Sequence, residues 1–208
     1  HVGTLLALVL YFRNDLWALL VNITKDNENG RLARILILAT IPAVIAGLLF
    51  SGYIDDNLRS PVIVAVTLAL VGAIMIYVDN RTVLENKHEV TRRQGVLVGA
   101  AQALALIPGV SRSGITITTG IFLGLDRKQA ARFSFLLAVP IIAGSALGIF
   151  LKDGDSLTFG TELYLGMFAA FVSGLIAIKF MLAFIAKIGL KPFAYYRFAV
   201  AILVIILL

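Results

Sequence analysis

Gly95–Leu125 reads GVLVGAAQALALIPGVSRSGITITTGIFLGL and decides how the rest of the chain is arranged. It holds two apolar stretches, Gly95–Ile107 and Ile115–Leu125, separated by the heptapeptide PGVSRSG at Pro108–Gly114. As helices, each stretch would extend roughly 16 to 20 Å at 1.5 Å per residue. A bilayer hydrocarbon core is about 30 Å thick. Each half is therefore too short to cross and long enough to reach the middle. The segment reads as a re-entrant helical hairpin with a polar, charged tip.

The surrounding composition requires a membrane. The 208 residues are 60% hydrophobic and only 14% charged, with a mean hydropathy of +0.96. Soluble domains carry about 25% charged residues, so a soluble fold and intrinsic disorder are both excluded. The net charge of +6 belongs to basic loops rather than to a nucleic-acid surface. The absence of cysteine removes disulfides, thiol nucleophiles and thiolate metal sites.

Outside the hairpin, Ile35–Ile54, Pro61–Val78 and Phe133–Leu151 are uninterrupted by charge and long enough to cross. Leu163–Ala186 qualifies with Lys179 inside it, and Pro192–Leu208 with Arg197 inside it. Val2–Phe12 has only 11 residues before Arg13. With no methionine at His1, the chain reads as a fragment whose first helix begins upstream. The expected fold is an all-α polytopic membrane protein, with about six membrane helices plus one re-entrant hairpin. It is one integral-membrane domain in an inverted-repeat arrangement, 1–94 completing a first repeat and 95–208 forming a second. No sequence repeat is visible between the halves, so that symmetry rests on span count.

Basic residues orient the segment. If the hairpin enters and leaves by one side, thirteen lysines and arginines collect on one face. They lie in the loops Arg13–Arg34, Asp79–Gln94, Asp126–Arg132 and Lys187–Lys191, and the other face keeps only Arg59 and Lys152. A single crossing would divide the same residues nine to six. The positive-inside rule selects the first arrangement and makes the basic face cytoplasmic.

The tip carries the chemistry. An arginine at mid-bilayer costs roughly 2.5 to 3.5 kcal/mol on insertion scales and calls for a partner. All 12 carboxylates lie in loops or at helix ends, so the partner of Arg112 is either protein outside this chain or an anionic ligand. Pro108 ends the first half-helix. Gly109 and Gly114 permit close backbone approach. Ser111 and Ser113 suit the N-cap region of the second half-helix, whose amides favour an anion. The Arg112 fork can pair with two phosphate oxygens. The competing reading is a polar surface turn with Arg112 snorkelling, which the loop charges disfavour.

Gln102 could face the same cavity or bond between helices. Thr116, Thr118 and Thr119 could line it or bond back within their helix. Lys179 and Arg197 read as snorkelling residues, with Tyr195 and Tyr196 as interfacial anchors. Ser134 reads as a packing contact and His88 as solvated. No metal-ligand cluster, phosphate loop or nucleophile elbow is present.

The stretch QALALIPGVSRSG at Gln102–Gly114 resembles the second signature of the undecaprenyl-diphosphatase family associated with bacitracin resistance. The likeness continues through RFSFLLAVP at Arg132–Pro140, PFAYYRF at Pro192–Phe198 and HVGTLLALVLYF at His1–Phe12. It implies inverted repeats with two re-entrant hairpins, and removal of the terminal phosphate of undecaprenyl diphosphate in the bacterial inner membrane. The carrier lipid of cell-wall synthesis is thereby regenerated. By the resemblance, Arg112 is the phosphate clamp with Ser111 and Ser113 beside it; the expected catalytic residues are Arg112 and Ser111, and the expected substrate contacts Ser113, Gly109, Gly114, Gln102 and Thr116. The family's glutamate-rich first signature and its PVSSTGH stretch are absent here. The resemblance places the ligands of a divalent cation (Mg or Ca) and the nucleophile candidates there, outside this chain, so these residues alone are expected to be inactive. Expected partners are a polyprenyl diphosphate and membrane lipids, with no nucleic acid and with room for a homodimer. A secondary transporter of a phosphate-like anion is the alternative, since half-helix N-termini serve transport equally well.

Overall fold

The computed structural model describes residues 1–81, 89–153 and 160–208, residues 152 and 153 by backbone alone. Glu85, Lys87, His88 and Asp155 lie outside the described residues, as do the side chains of Lys152 and Asp153. The described residues are helical throughout, in the order α1 (Val2–Tyr11), α2 (Arg13–Asn22), α3 (Glu28–Asn57), α4 (Pro61–Arg81), α5 (Arg92–Ala103), a 3₁₀ turn (Leu104–Leu106), α6 (Arg112–Phe122), α7 (Arg127–Asp153), α8 (Thr161–Ile188) and α9 (Lys191–Ile206).

Four of these, α3, α4, α7 and α8, are long and apolar enough to cross a bilayer. A fifth span is reached if α1 and α2, bent by 78° at Phe12, count as one. The expectation of about six also counts the opening helix by itself and the last helix. The helix at the start stops after 10 residues, and α9 has 16, about 24 Å of helix. The outer surface is that of a membrane protein: Leu48 is 80% exposed, Leu151 75% and Phe168 67%. Water penalises such a surface and lipid does not. Pro42 and Pro140 lie inside α3 and α7, where neighbouring helices can re-satisfy the freed carbonyls.

Small residues bring the helices together. A side chain at Gly99 would run into the Ala39 backbone, so α5 lies directly on α3. Gly3 meets the Met167 carbonyl and brings α1 onto α8 in the same way. In the absence of a hydrophobic drive between lipid-bathed helices, such backbone approach supplies the van der Waals contact. The interior has two clusters. One joins Ala7, Leu8, Leu36, Ala39, Val98 and Leu137. The other joins Val71, Met75, Ile117, Ile121, Leu190 and Ala194. The inner helix α6 contacts α4, α5 and α7, and seven of its 11 residues are buried.

α5 and α6 form a helical hairpin. Its boundaries are shifted from the sequence expectation: α5 begins three residues before Gly95, because Thr91 and Gln94 make a capping box, and tightens into the 3₁₀ turn after Ala103. The second arm starts at Arg112 rather than Ile115 because Ser111 caps it. Ion pairs tie the basic loops together at one end of the bundle. Arg132 pairs with Asp15, Arg31 lies 3.6 Å from Glu89, and Arg127 lies 2.7 Å from Asp79. Gly189, between α8 and α9, sits against the Asp79 carboxylate. The four loops that the charge count grouped are neighbours in space.

Candidate functional site

The tip at Pro108–Gly114 is held by its backbone. Thr67 Oγ1 of α4 donates to the Pro108 carbonyl at 2.7 Å. Gly109 adopts φ +89, and a side chain there would collide with Thr67 and the Val64 carbonyl. Only glycine meets both demands cheaply. Val110 is buried beneath the turn. Ser111 has φ +70, the one non-glycine residue with positive φ among those described. That is a strained conformation for a side-chain-bearing residue. Its hydroxyl accepts from the Gly114 amide at 3.2 Å and so starts α6.

From this cap, Arg112 projects into a cavity of about 280 Å³ bounded by α3, α5 and α7, with Gly47, Leu48, Leu106, Pro140 and Ser145 in its walls. Gln102 lines the same cavity from α5, 2% exposed, with neither amide oxygen nor nitrogen hydrogen-bonded among the described residues. Buried amide atoms without a partner are uncommon and costly. The Arg112 guanidinium likewise has no hydrogen bond or ion pair among the described residues. The cavity thus presents a guanidinium, a free amide and the Ser145 residue between largely apolar walls. The polar groups can donate to an anion.

The remaining residues singled out from sequence are distributed around this cavity. Ser111, Ser113 and Gly114 line a second space, also about 280 Å³, on the other side of the tip, beside Met75, Phe193 and Arg197. They adjoin Arg112 in sequence but not within its cavity. Gly109 serves the turn. Thr116 is 1% exposed and faces α7: its hydroxyl lies 2.7 Å from Ser134 Oγ and donates to the Arg112 carbonyl at 2.8 Å. Ser134 is therefore a hydrogen-bonding partner as well as a packing contact. Thr118 bonds back to the Gly114 carbonyl at 2.6 Å.

Arg197 departs most from expectation. It is 6% exposed rather than snorkelling. It donates from Nη2 to the Gly109 carbonyl at 2.7 Å and to Thr67 O at 3.3 Å, and from Nε to Leu68 O at 3.2 Å. In place of snorkelling, the guanidinium turns inward to carbonyls of the tip and of α4. Lys179 is exposed on α8.

Among the described residues no group of three or more His, Cys, Asp or Glu could hold a metal ion. The donors around Arg112 include no carboxylate, so they do not fit a divalent cation, and none is assigned to them.

The chain matches the family described as Bacitracin resistance protein BacA over residues 1–203. It is 44% identical to an undecaprenyl-diphosphatase of Thermodesulfovibrio yellowstonii, over 100% of this chain and 79% of that protein. An undecaprenyl-diphosphatase of Aliivibrio salmonicida is 42% identical over 95% of this chain and 77% of its own length. One of Caldicellulosiruptor bescii is 41% identical over 99% and 79%. The unpartnered Arg112 and the strained turn that presents it fall inside the matched span, and the chain belongs to the BacA family.

Proposed function

We propose that the chain hydrolyses undecaprenyl diphosphate to undecaprenyl phosphate and phosphate, recycling the lipid carrier of cell-wall synthesis. Arg112 supports this reading most directly: a guanidinium with no partner among the described residues, in a cavity shared with an unpartnered amide. The names of the relatives agree with it. Water adds to the terminal phosphorus as the bridging P–O bond breaks, leaving the lipid as its monophosphate. Arg112 binds two non-bridging oxygens and stabilises the charge that gathers on them. Gln102 donates to a further oxygen. The inactivity expected of these residues alone finds no support in the comparisons and is not carried forward.

The membrane arrangement belongs to the same proposal. α5 and α6 enter from the cytoplasmic face of the inner membrane and return to it, placing the tip near mid-bilayer. The units 1–94 and 95–208 act as inverted halves. A divalent cation assisting the reaction would take its ligands from outside the residues around Arg112.

The test is direct. Protein purified in detergent is given undecaprenyl diphosphate, and released phosphate and lipid monophosphate are measured together. Equal amounts of both, abolished by Arg112→Ala at matched protein level, is the expected result. Movement of a phosphate-bearing solute into proteoliposomes with no hydrolysis would favour transport instead.

A further inference from the structure

Arg197 lies outside the cavity of Arg112, yet it grips the turn from which Arg112 projects. Its Nη2 reaches the Gly109 carbonyl at 2.7 Å, while Nε and Nη2 also reach the carbonyls of Leu68 and Thr67 on α4. The same α9 turn comes close to α4 because residue 72 is glycine: a side chain there would stand 3.3 Å from the Phe198 ring and 3.4 Å from the Ala194 carbonyl. One cation therefore joins three parts of the fold, and none of its recorded acceptors is a carboxylate. Burying a guanidinium on neutral carbonyls is a costly way to join two helices. Apolar packing along α4 and α9 already does so through Val71, Met75 and Ala194.

The distinctive consequence lies at the tip. The Gly109 carbonyl precedes Val110, then Ser111 at φ +70, then Arg112. A strained residue persists only where its surroundings fix it. Arg197 holds the chain on one side of that strain, and the cap to Gly114 holds it on the other. Resting on the reading of Arg112 as the phosphate clamp, we infer that Arg197 is a positioning residue. It orients the Pro108–Ser111 turn so that the Arg112 fork meets the diphosphate, and it does not touch substrate. A lysine carries the charge but lacks the two adjacent donors that reach Gly109 and α4 together.

The experiment is a double-mutant cycle on the intact protein, read as kcat and KM for undecaprenyl diphosphate. Detergent thermal melts accompany it. Alone, Arg112→Lys should lose most activity; near-normal turnover would end the clamp reading itself, a failure distinct from any seen at Arg197. Alone, Arg197→Lys should lower kcat by about 10²-fold, the usual effect of misplacing a reacting group by about 1 Å, while KM changes far less. In the Arg112→Lys background the same change should cost under threefold, because a positioning residue has nothing left to position. Equal losses in both backgrounds would show a general effect on the scaffold and overturn the inference. Full activity in Arg197→Lys would overturn it as well. If Arg197→Lys does not accumulate, Arg197→Gln, which keeps a planar donor group, takes its place in the cycle. Failure of both to fold assigns Arg197 to stability and rejects positioning.

Discussion

Gln94 Nε2 donates to the carbonyl oxygen of Leu123 at 2.9 Å, joining the first turn of α5 to the residue that follows α6. This bond closes the hairpin at its base, so the chain leaves by the end at which it entered. Arg93 precedes one end of this bond and Lys128 follows the other by five residues, while Arg59 lies beyond the C-terminal end of α3. Single cysteines at the three positions, introduced into a chain without native cysteine, should react with a membrane-impermeant reagent accordingly. Positions 93 and 128 should label from the cytoplasmic side and position 59 from the other. Labelling of 93 and 128 from opposite sides would sink the re-entrant arrangement.

The Asp79–Arg127 pair makes a second, quantitative expectation. The Asp79 side chain is 2% exposed and that of Arg127 24%. Removing one partner strands the other, and the cost follows the burial of the one that remains. Arg127→Met leaves the buried carboxylate and should destabilise by about 3 kcal/mol. Asp79→Leu leaves the better-hydrated guanidinium and should cost less. Gly189→Ala should damage the same corner, since Gly189 has φ +88 and a methyl there would stand 2.7 Å from both Asp79 oxygens. Melting temperatures in one detergent give the order. Asp79→Leu falling below Arg127→Met would show that burial does not govern this pair.

What sequence made legible follows from local physics. The shortness of the two helices and the break at Pro108 are properties of neighbouring residues, and the α5–turn–α6 succession could be read from them. Arg197 could not be read in this way. Its acceptors at Thr67 and Leu68 are about 130 positions away, and no local pattern separates a snorkelling arginine from one that meets carbonyls inside. The division of the tip was equally hidden. Ser111 and Arg112 are adjacent, but the positive φ at Ser111 sends them to different cavities, and serine does not announce that conformation. The bend of 78° at Phe12, between α1 and α2, was hidden as well.

The contact between α3 and α5 rests on one missing side chain. A Cβ at Gly99 would meet the Ala39 carbonyl oxygen and Cα, which are backbone and cannot rotate away. Gly99→Ala must therefore separate the helices, although alanine ordinarily favours a helix over glycine by about 1 kcal/mol. Overpacking of this kind costs roughly 1–3 kcal/mol. Gly166→Ala, at a position with open space around it, should instead be neutral or mildly stabilising. A lower melting temperature for Gly99→Ala and an unchanged or higher one for Gly166→Ala is the expected pair. The reverse order would remove the close-packing argument.

Gln102 separates stability from function most sharply. Its amide is buried without a partner beside the Arg112 cavity, and that arrangement costs the free protein about 1–3 kcal/mol. If the amide is kept for the diphosphate, substrate binding recovers this cost. Gln102→Leu has similar volume and no polar atoms, so it should raise the melting temperature while lowering kcat/KM by roughly 10- to 100-fold. That corresponds to one lost hydrogen bond to a charged group, about 1.5–3 kcal/mol. Gln102→Glu should weaken binding further, because a carboxylate in the cavity competes for Arg112 and repels the substrate. Its loss should appear mainly in KM and grow with pH as the carboxyl ionises. Lys179→Ala, on the exposed face of α8, is the control and should stay within a few-fold of the parent. A structural glutamine would give the opposite sign in the melt. If Gln102→Leu lowers the melting temperature and leaves kcat/KM intact, the amide belongs to the scaffold and Arg112 meets the phosphate without it.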